Sequence, residues 1–261
     1  MEGIGIGTSD FKKMRVKDYY YIDKTMYIKD ILDNKSEVIL ITRPRRFGKT
    51  LNMSMLRYYF DCRQKDNKEL FEGLKIITQD EKYTSKLGYY PVIYLTLKDM
   101  NGSTFEESLI QLKTELLELY IDHAYLLKSD KLLDIEKERF NNILNFRADK
   151  IEIQKALYLL TRLLYKEYER PAILLIDEYD VPIQSAYVEG YYEEAVKFFK
   201  TFYGTTFKDN PYLEKTVLTG VSRVAKESIF SGANNFKVFT VLDNEFADDF
   251  GITEEEMDKV I

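Results

Sequence analysis

Apolar positions along the chain gather into five short runs: Val38–Thr42 (VILIT), Pro91–Leu97 (PVIYLTL), Ala172–Ile176 (AILLI), Thr216–Thr219 (TVLT) and Val238–Leu242 (VFTVL). Three of them are nearly continuous rather than alternating, as strands buried on both faces of a parallel sheet are. Between the runs, apolar residues recur at helical spacing. Leu109, Leu112, Leu116 and Leu119 mark one face of a helix over Phe105–Tyr120, opened by the capping residues Ser103 and Thr104. Leu51–Phe60, Ile151–Tyr168 and Glu189–Tyr203 read as further helices, and Pro171 follows the second of these. Strands alternating with such helices predict a doubly wound α/β fold around a mostly parallel five-stranded sheet. The charged, helical stretch from about 120 to 150 reads as an insertion. Thr253 and Glu256 form a capping box. The expected division is therefore one domain over 1–250, and the start of a truncated C-terminal helical region over 251–261.

The first run leads into Arg43-Pro44-Arg45-Arg46-Phe47-Gly48-Lys49-Thr50-Leu51. Its end matches the phosphate-binding pattern GxxxxGK(S/T) between a strand and a helix, but Arg43 stands where the first glycine belongs. In such a loop, backbone N–H groups and the helix N-terminus surround a β-phosphate. Lys49 meets the β/γ oxygens and the Thr50 hydroxyl binds Mg²⁺. Gly48 permits a backbone shape that a Cβ would hinder. Gly-Lys-Thr alone is a weak signal. The run AILLIDEYD adds a second, because the C-terminal end of an adjacent strand lies beside the phosphates. Asp177 is expected to support the metal, and Glu178 to polarise the attacking water as general base. Acidic residues also simply mark the polar end of a buried strand, and that reading competes for either motif alone. The run TVLT continues as TGVSRV, where Thr219 or Ser222 fits a γ-phosphate sensor and Arg223 a stabiliser of transition-state charge. An ordinary surface turn explains that stretch equally well. The order of the runs fits P-loop NTPases of the additional-strand, catalytic-glutamate type.

Composition narrows the setting. The chain has 261 residues, is 45% hydrophobic and 31% charged, and contains no apolar run long enough to span a bilayer. Its single cysteine, Cys62, excludes an internal disulfide, and no signal-peptide pattern opens the chain, so a cytoplasmic protein is expected. A net charge of −6 argues against a protein that coats nucleic acid, which leaves Arg43, Arg45 and Arg46 as a local basic cluster with at most an indirect role there. His123 is expected on a helix surface, Asp180 at the turn before Pro182, and Asn234-Asn235 in a turn. Asp23-Lys24-Thr25 fits either a contact to adenine or ribose or a helix cap made by Asp23.

Together with YYIDKTMYIKDIL, YYPVIYLTLKD and TGVSRVAKESIFSGANNFKVFTVLDNEFADDFGITEEE, these motifs resemble the bacterial AAA-ATPase-like family over nearly the whole chain. The resemblance implies ATP and Mg²⁺ as ligands, and ATPase activity. It also implies a C-terminal nuclease-like domain of the PD-(D/E)XK type, or another partner, beyond these residues; no such nuclease motif occurs within them. Arginine in place of the first glycine is then a family trait. Two other readings stand beside this one. One is a nucleotide-responsive switch with little turnover, motivated by Arg43-Pro44. The other is a nucleic-acid-associated defence or mobile-element component. A homo-oligomer supplying an arginine in trans is compatible with all three.

Overall fold

The computed structural model describes residues 7–222, 229–230 and 236–258. Five strands form one sheet: β1 (Val38–Thr42), β2 (Val92–Thr96), β3 (Ala172–Asp177), β4 (Leu213–Gly220) and β5 (Phe236–Phe239). The order is β2-β3-β4-β1-β5, and every neighbouring pair is parallel. The central strands are buried on both sides because successive side chains point to opposite faces of a strand. Ile39, Ile41, Ile173, Leu175 and Val217 face one core, and Leu40, Leu174, Ile176 and Leu218 face the other.

The first core is roofed by α1 (Phe11–Val16), α2 (Met26–Asp33) and α3 (Lys49–Phe60), through Phe11, Tyr27, Met53 and Leu56. The second is covered by α5 (Phe105–Asp122), α8 (Ala156–Tyr168) and α10 (Tyr192–Phe207), through Leu112, Leu116, Leu160 and Phe199. Thr104 caps α5 by accepting from the Glu107 N–H. Shorter helices complete the chain: α4 (Glu81–Thr84), α6 (Asp134–Leu144), α7 (Lys150–Gln154), α9 (Val181–Glu189) and α11 (Glu254–Met257). Within the inserted stretch, the buried Glu136 of α6 is held by Arg162 and by Lys166 of α8, the latter at 2.8 Å. No helix among the described residues is long and apolar enough to cross a membrane.

Several expected boundaries move, each for a local reason. The helix over Ile151–Tyr168 is two, α7 and α8, parted at Lys155. The helix expected from Glu189 begins instead at Tyr192, because Gly190 ends α9 in the left-handed region at φ 87°. The strand expected over Val238–Leu242 stops at Phe239: the Asp243 carboxylate accepts from the Thr240 N–H and hydroxyl, turning the chain and leaving Leu242 90% exposed. The run Pro91–Leu97 is an edge strand, and β4 is the strand lodged between β1 and β3. The acidic strand is therefore not the immediate neighbour of the loop strand.

Candidate nucleotide site

β1 delivers the chain to the C-terminal edge of the sheet, where residues 43–48 turn into α3. Gly48 has φ 78° and stands at the N-terminus of α3. The only other residue of the loop with positive φ is Arg46, at 69°. Arg43 is not left-handed, so the backbone does not require glycine there. That is how a bulky residue is accommodated at the loop's first position.

The Arg43 side chain leaves the loop altogether. It is buried, its guanidinium donates to the Thr42, Phe239 and Phe246 carbonyls at 3.0, 3.3 and 2.9 Å, and it lies 5.3 Å from the Phe250 ring centre. Although expected at the nucleotide, this side chain fastens β1, β5 and the segment after β5 to one another. Phe47 also faces that segment: its carbonyl accepts from the Gly251 N–H at 3.1 Å, and a Cβ on Gly251 would come within 3.1 Å of its ring. Pro44 is exposed, and its carbonyl and that of Arg43 accept from the Lys49 ammonium at 2.9 and 3.0 Å.

The remaining loop residues share a cleft of about 950 Å³ with the ends of β3 and β4. Arg45, Arg46, Gly48, Lys49, Thr50 and Leu51 line one side of it. Glu178, Asp180, Val181, Gln184 and Val221 line the other. Residues 7–9 border the same space, fixed to α3 because the Phe11 N–H donates to Ser54 Oγ at 3.0 Å and the Tyr58 hydroxyl to Asp10 at 2.9 Å. Motif reading did not place Gly7, Thr8, Ser9 or Gln184 at this site. Nothing in their local sequence signals it; only the packing of α1 on α3, and the start of α9 beyond β3, brings them there.

The electrostatics of the cleft are those of facing opposite charges. Burial lowers the pKa of Lys49, while Asp177, Glu178 and Asp180 act to raise it. Burial raises that of Glu178, and the neighbouring Asp177 adds to the effect while Lys49 opposes it. Glu178 also holds a left-handed backbone at φ 56°, unusual for a residue with a side chain. The Asp177 carboxylate is buried and accepts from the Thr219 hydroxyl, so the end of the acidic strand is tied to its neighbour β4. Ser222 is reached through Asp180 Oδ2, which accepts from the Val221 N–H at 3.0 Å, the Ser222 N–H at 2.8 Å and the Ser222 hydroxyl at 3.0 Å. Asp180 thus does more than close a turn, and it makes no ion pair with Arg45 or Arg46 among the described contacts. Arg223 and Asn234-Asn235 lie outside the described residues.

The other singled-out residues sit elsewhere. His123 is 1% exposed rather than on a helix surface, with Nδ1 2.8 Å from the Leu119 carbonyl, and burial, aided by Arg63, depresses its pKa to about 4. It is the C-cap of α5. Asp23 is not the cap of α2, which is Thr25. Its carboxylate accepts from the Thr25 N–H and hydroxyl at 2.9 and 2.6 Å and from the Lys75 N–H at 2.8 Å. Lys24 pairs with Glu256 at 2.6 Å and also donates to the Asp248 carbonyl. Cys62 is half-buried, and burial holds its thiol up at about 11.

A parallel five-stranded sheet with helical insertions, carrying a strand–loop–helix unit of this shape, defines a protein of the P-loop NTPase kind. A family model described as "Predicted AAA-ATPase" matches residues 5–230, and the chain belongs to this AAA-ATPase-like family, with the nucleotide-binding character the family carries. It is also similar to the "Uncharacterized protein in vnfD 5'region" of Azotobacter chroococcum mcd 1, at 27% identity over 257 residues. That match covers 98% of this chain and 44% of the relative, so the chain spans less than half of that protein's length. No solved structure matches.

Proposed function

We propose that the chain binds Mg·ATP in this cleft and hydrolyses it. The observation that carries the reading is that Lys49 and Thr50 from the loop and Glu178 from the acidic strand border one cavity at the C-terminal edge of a parallel sheet. The position of β4 between β1 and β3 supports the additional-strand, catalytic-glutamate assignment. Lys49 would exchange its two loop carbonyls for phosphate oxygens, and the N–H groups at the start of α3 would hold the β-phosphate. Glu178, its carboxyl raised toward the working pH, would take a proton from water.

The Thr50 hydroxyl and Asp177 carboxylate are hard oxygen donors that suit Mg²⁺, which takes one or two protein ligands beside phosphate oxygens. Bound there, the ion would neutralise phosphate charge. Coupling to a partner, whether a nuclease-like domain or another protein, would run through the segment after β5. Arg43 grips the Phe246 carbonyl and Asn52 of α3 grips that of Asp249 at 2.8 Å, so a shift of the loop is felt there.

The deciding experiment compares Mg·ATP turnover and binding in the unaltered chain and in Glu178→Gln. Turnover should fall at least about a hundredfold while binding persists. Equal rates would remove Glu178 from the chemistry, and absence of ATP binding would overturn the reading. The capture of the Lys49 ammonium by its own loop favours a slow cycle as the second reading; bound ADP with negligible turnover would support that one.

A further inference from the structure

We propose that Gln184 orients the attacking water beside Glu178, and that Asp180 is the positioning residue that holds it there. The inference rests on the hydrolysis reading above. The Gln184 amide nitrogen donates to Asp180 Oδ2 at 2.6 Å and to Ser222 Oγ at 2.9 Å. A carboxylate oxygen only accepts, so the nitrogen end of the amide must face Asp180, and both of its hydrogens are then used. Among the described residues the amide oxygen has no donor, which leaves it as an acceptor on a side chain that lines the cleft together with Glu178 and Lys49. A phosphate oxygen is itself an acceptor and gains nothing from that atom, whereas a water has hydrogens to give. The chemistry of the free atom therefore selects water over phosphate.

With one hydrogen on Gln184 and the other directed to Glu178, the water's lone pair is left for the γ-phosphorus. Its oxygen bonds to that phosphorus as the bond to the bridging oxygen breaks. The electron pair leaves with ADP and the proton passes to Glu178.

The holder is rigid. Asp180 is 1% exposed, and its Oδ2 gathers Gln184 with the N–H groups of Val221 and Ser222. The Tyr179 hydroxyl donates to the Ser222 carbonyl at 2.9 Å, closing the unit from the other side. Gly220 leaves the room for it: a Cβ there would stand 2.6 Å from Asp180 Oδ1 and 2.7 Å from the Tyr179 ring. The water-orienting group is thereby seated on the ends of both β3 and β4.

The test measures kcat, KM and calorimetric ATP affinity for Gln184→Leu, Asp180→Asn and the double variant of the full chain. Asparagine keeps the shape but loses the carboxylate charge, so its hold on Gln184 weakens while the fold survives, which thermal unfolding verifies. Gln184→Leu should lower kcat at least about tenfold with ATP affinity unchanged. Asp180→Asn should also lower kcat, and the double variant should be no slower than Gln184→Leu, because Asp180 acts through Gln184. Unchanged kcat in Gln184→Leu, or additive losses in the double variant, would overturn the inference and leave the hydrolysis reading standing. An unaltered chain that binds ATP without turning it over would overturn both.

Discussion

Glu178 is held in two uncomfortable ways, with a left-handed backbone and a carboxyl drawn partly out of water beside Asp177. A raised carboxyl acting as base sets the acid limb of a pH–rate profile. That limb should therefore lie above the range of an ordinary glutamate in kcat/KM measured from pH 4 to 9. Gly48 is uncomfortable only for other residues: a Cβ there meets nothing within 4 Å, so φ alone resists it. Gly48→Ala should cost about 1 kcal/mol in urea unfolding, with no cavity or clash to add to it.

Asp249 gives a pH signature of its own. Burial, with the Asp30 carboxyl nearby, moves it from the ordinary 3.8 to about 7, so over that interval the folded chain keeps a proton that the unfolded chain has lost. The stability this group lends is complete below about pH 4 and drains away as the pH rises to about 7. Asp249→Asn should gain on the unaltered chain over that interval, by at most about 4 kcal/mol, when urea midpoints are compared at both ends. Lys49, Thr50, Asp177 and Glu178 could be singled out from sequence because their spacing follows the chain. Gln184 could not, nor could the part Asp180 plays beyond its turn, since both arise from Ser222, some forty positions away, meeting them across two strands.

Among the elements, β1 and β3 were legible because burial on both faces erases alternation and leaves apolar runs, whereas β5, at an edge, buries only Phe239. Their ends were less so, since a single side chain can end a strand, as Asp243 does at Thr240. The helix expected from Glu189 starts only at Tyr192, because Gly190 with its left-handed backbone first ends α9. The loop–β5 junction depends on Arg43 in a way its place in a phosphate motif conceals. Arg43→Ala would take a donor from three buried carbonyls and should destabilise the fold by about 3 kcal/mol. Any loss of ATP affinity measured on the folded variant should be smaller than that of Lys49→Ala.

At the scale of the molecule, one sheet carries two cores, so neither can melt without exposing the other's strands. Mg·ATP that binds only the folded chain should stabilise it by about 2.7 kcal/mol at a hundred times Kd. For a chain of this size that is a rise of roughly 5–10 °C in Tm, readable by calorimetry, and ATP should lose the effect in Lys49→Ala.

The place of β1 also sets a timetable. Val38 pairs with Thr216 on one side and Phe236 on the other, and the loop it feeds is steadied by Arg43 reaching Phe246 and Phe47 holding Gly251. A ribosome makes the strand and its loop well before β4, β5 and the segment after β5 that brace them. Until those braces emerge, at roughly 5–20 residues per second, the nascent chain carries the phosphate motif without the shape that would let it hold a nucleotide. ATP can act once those braces are in place but cannot guide the folding of the residues made before them.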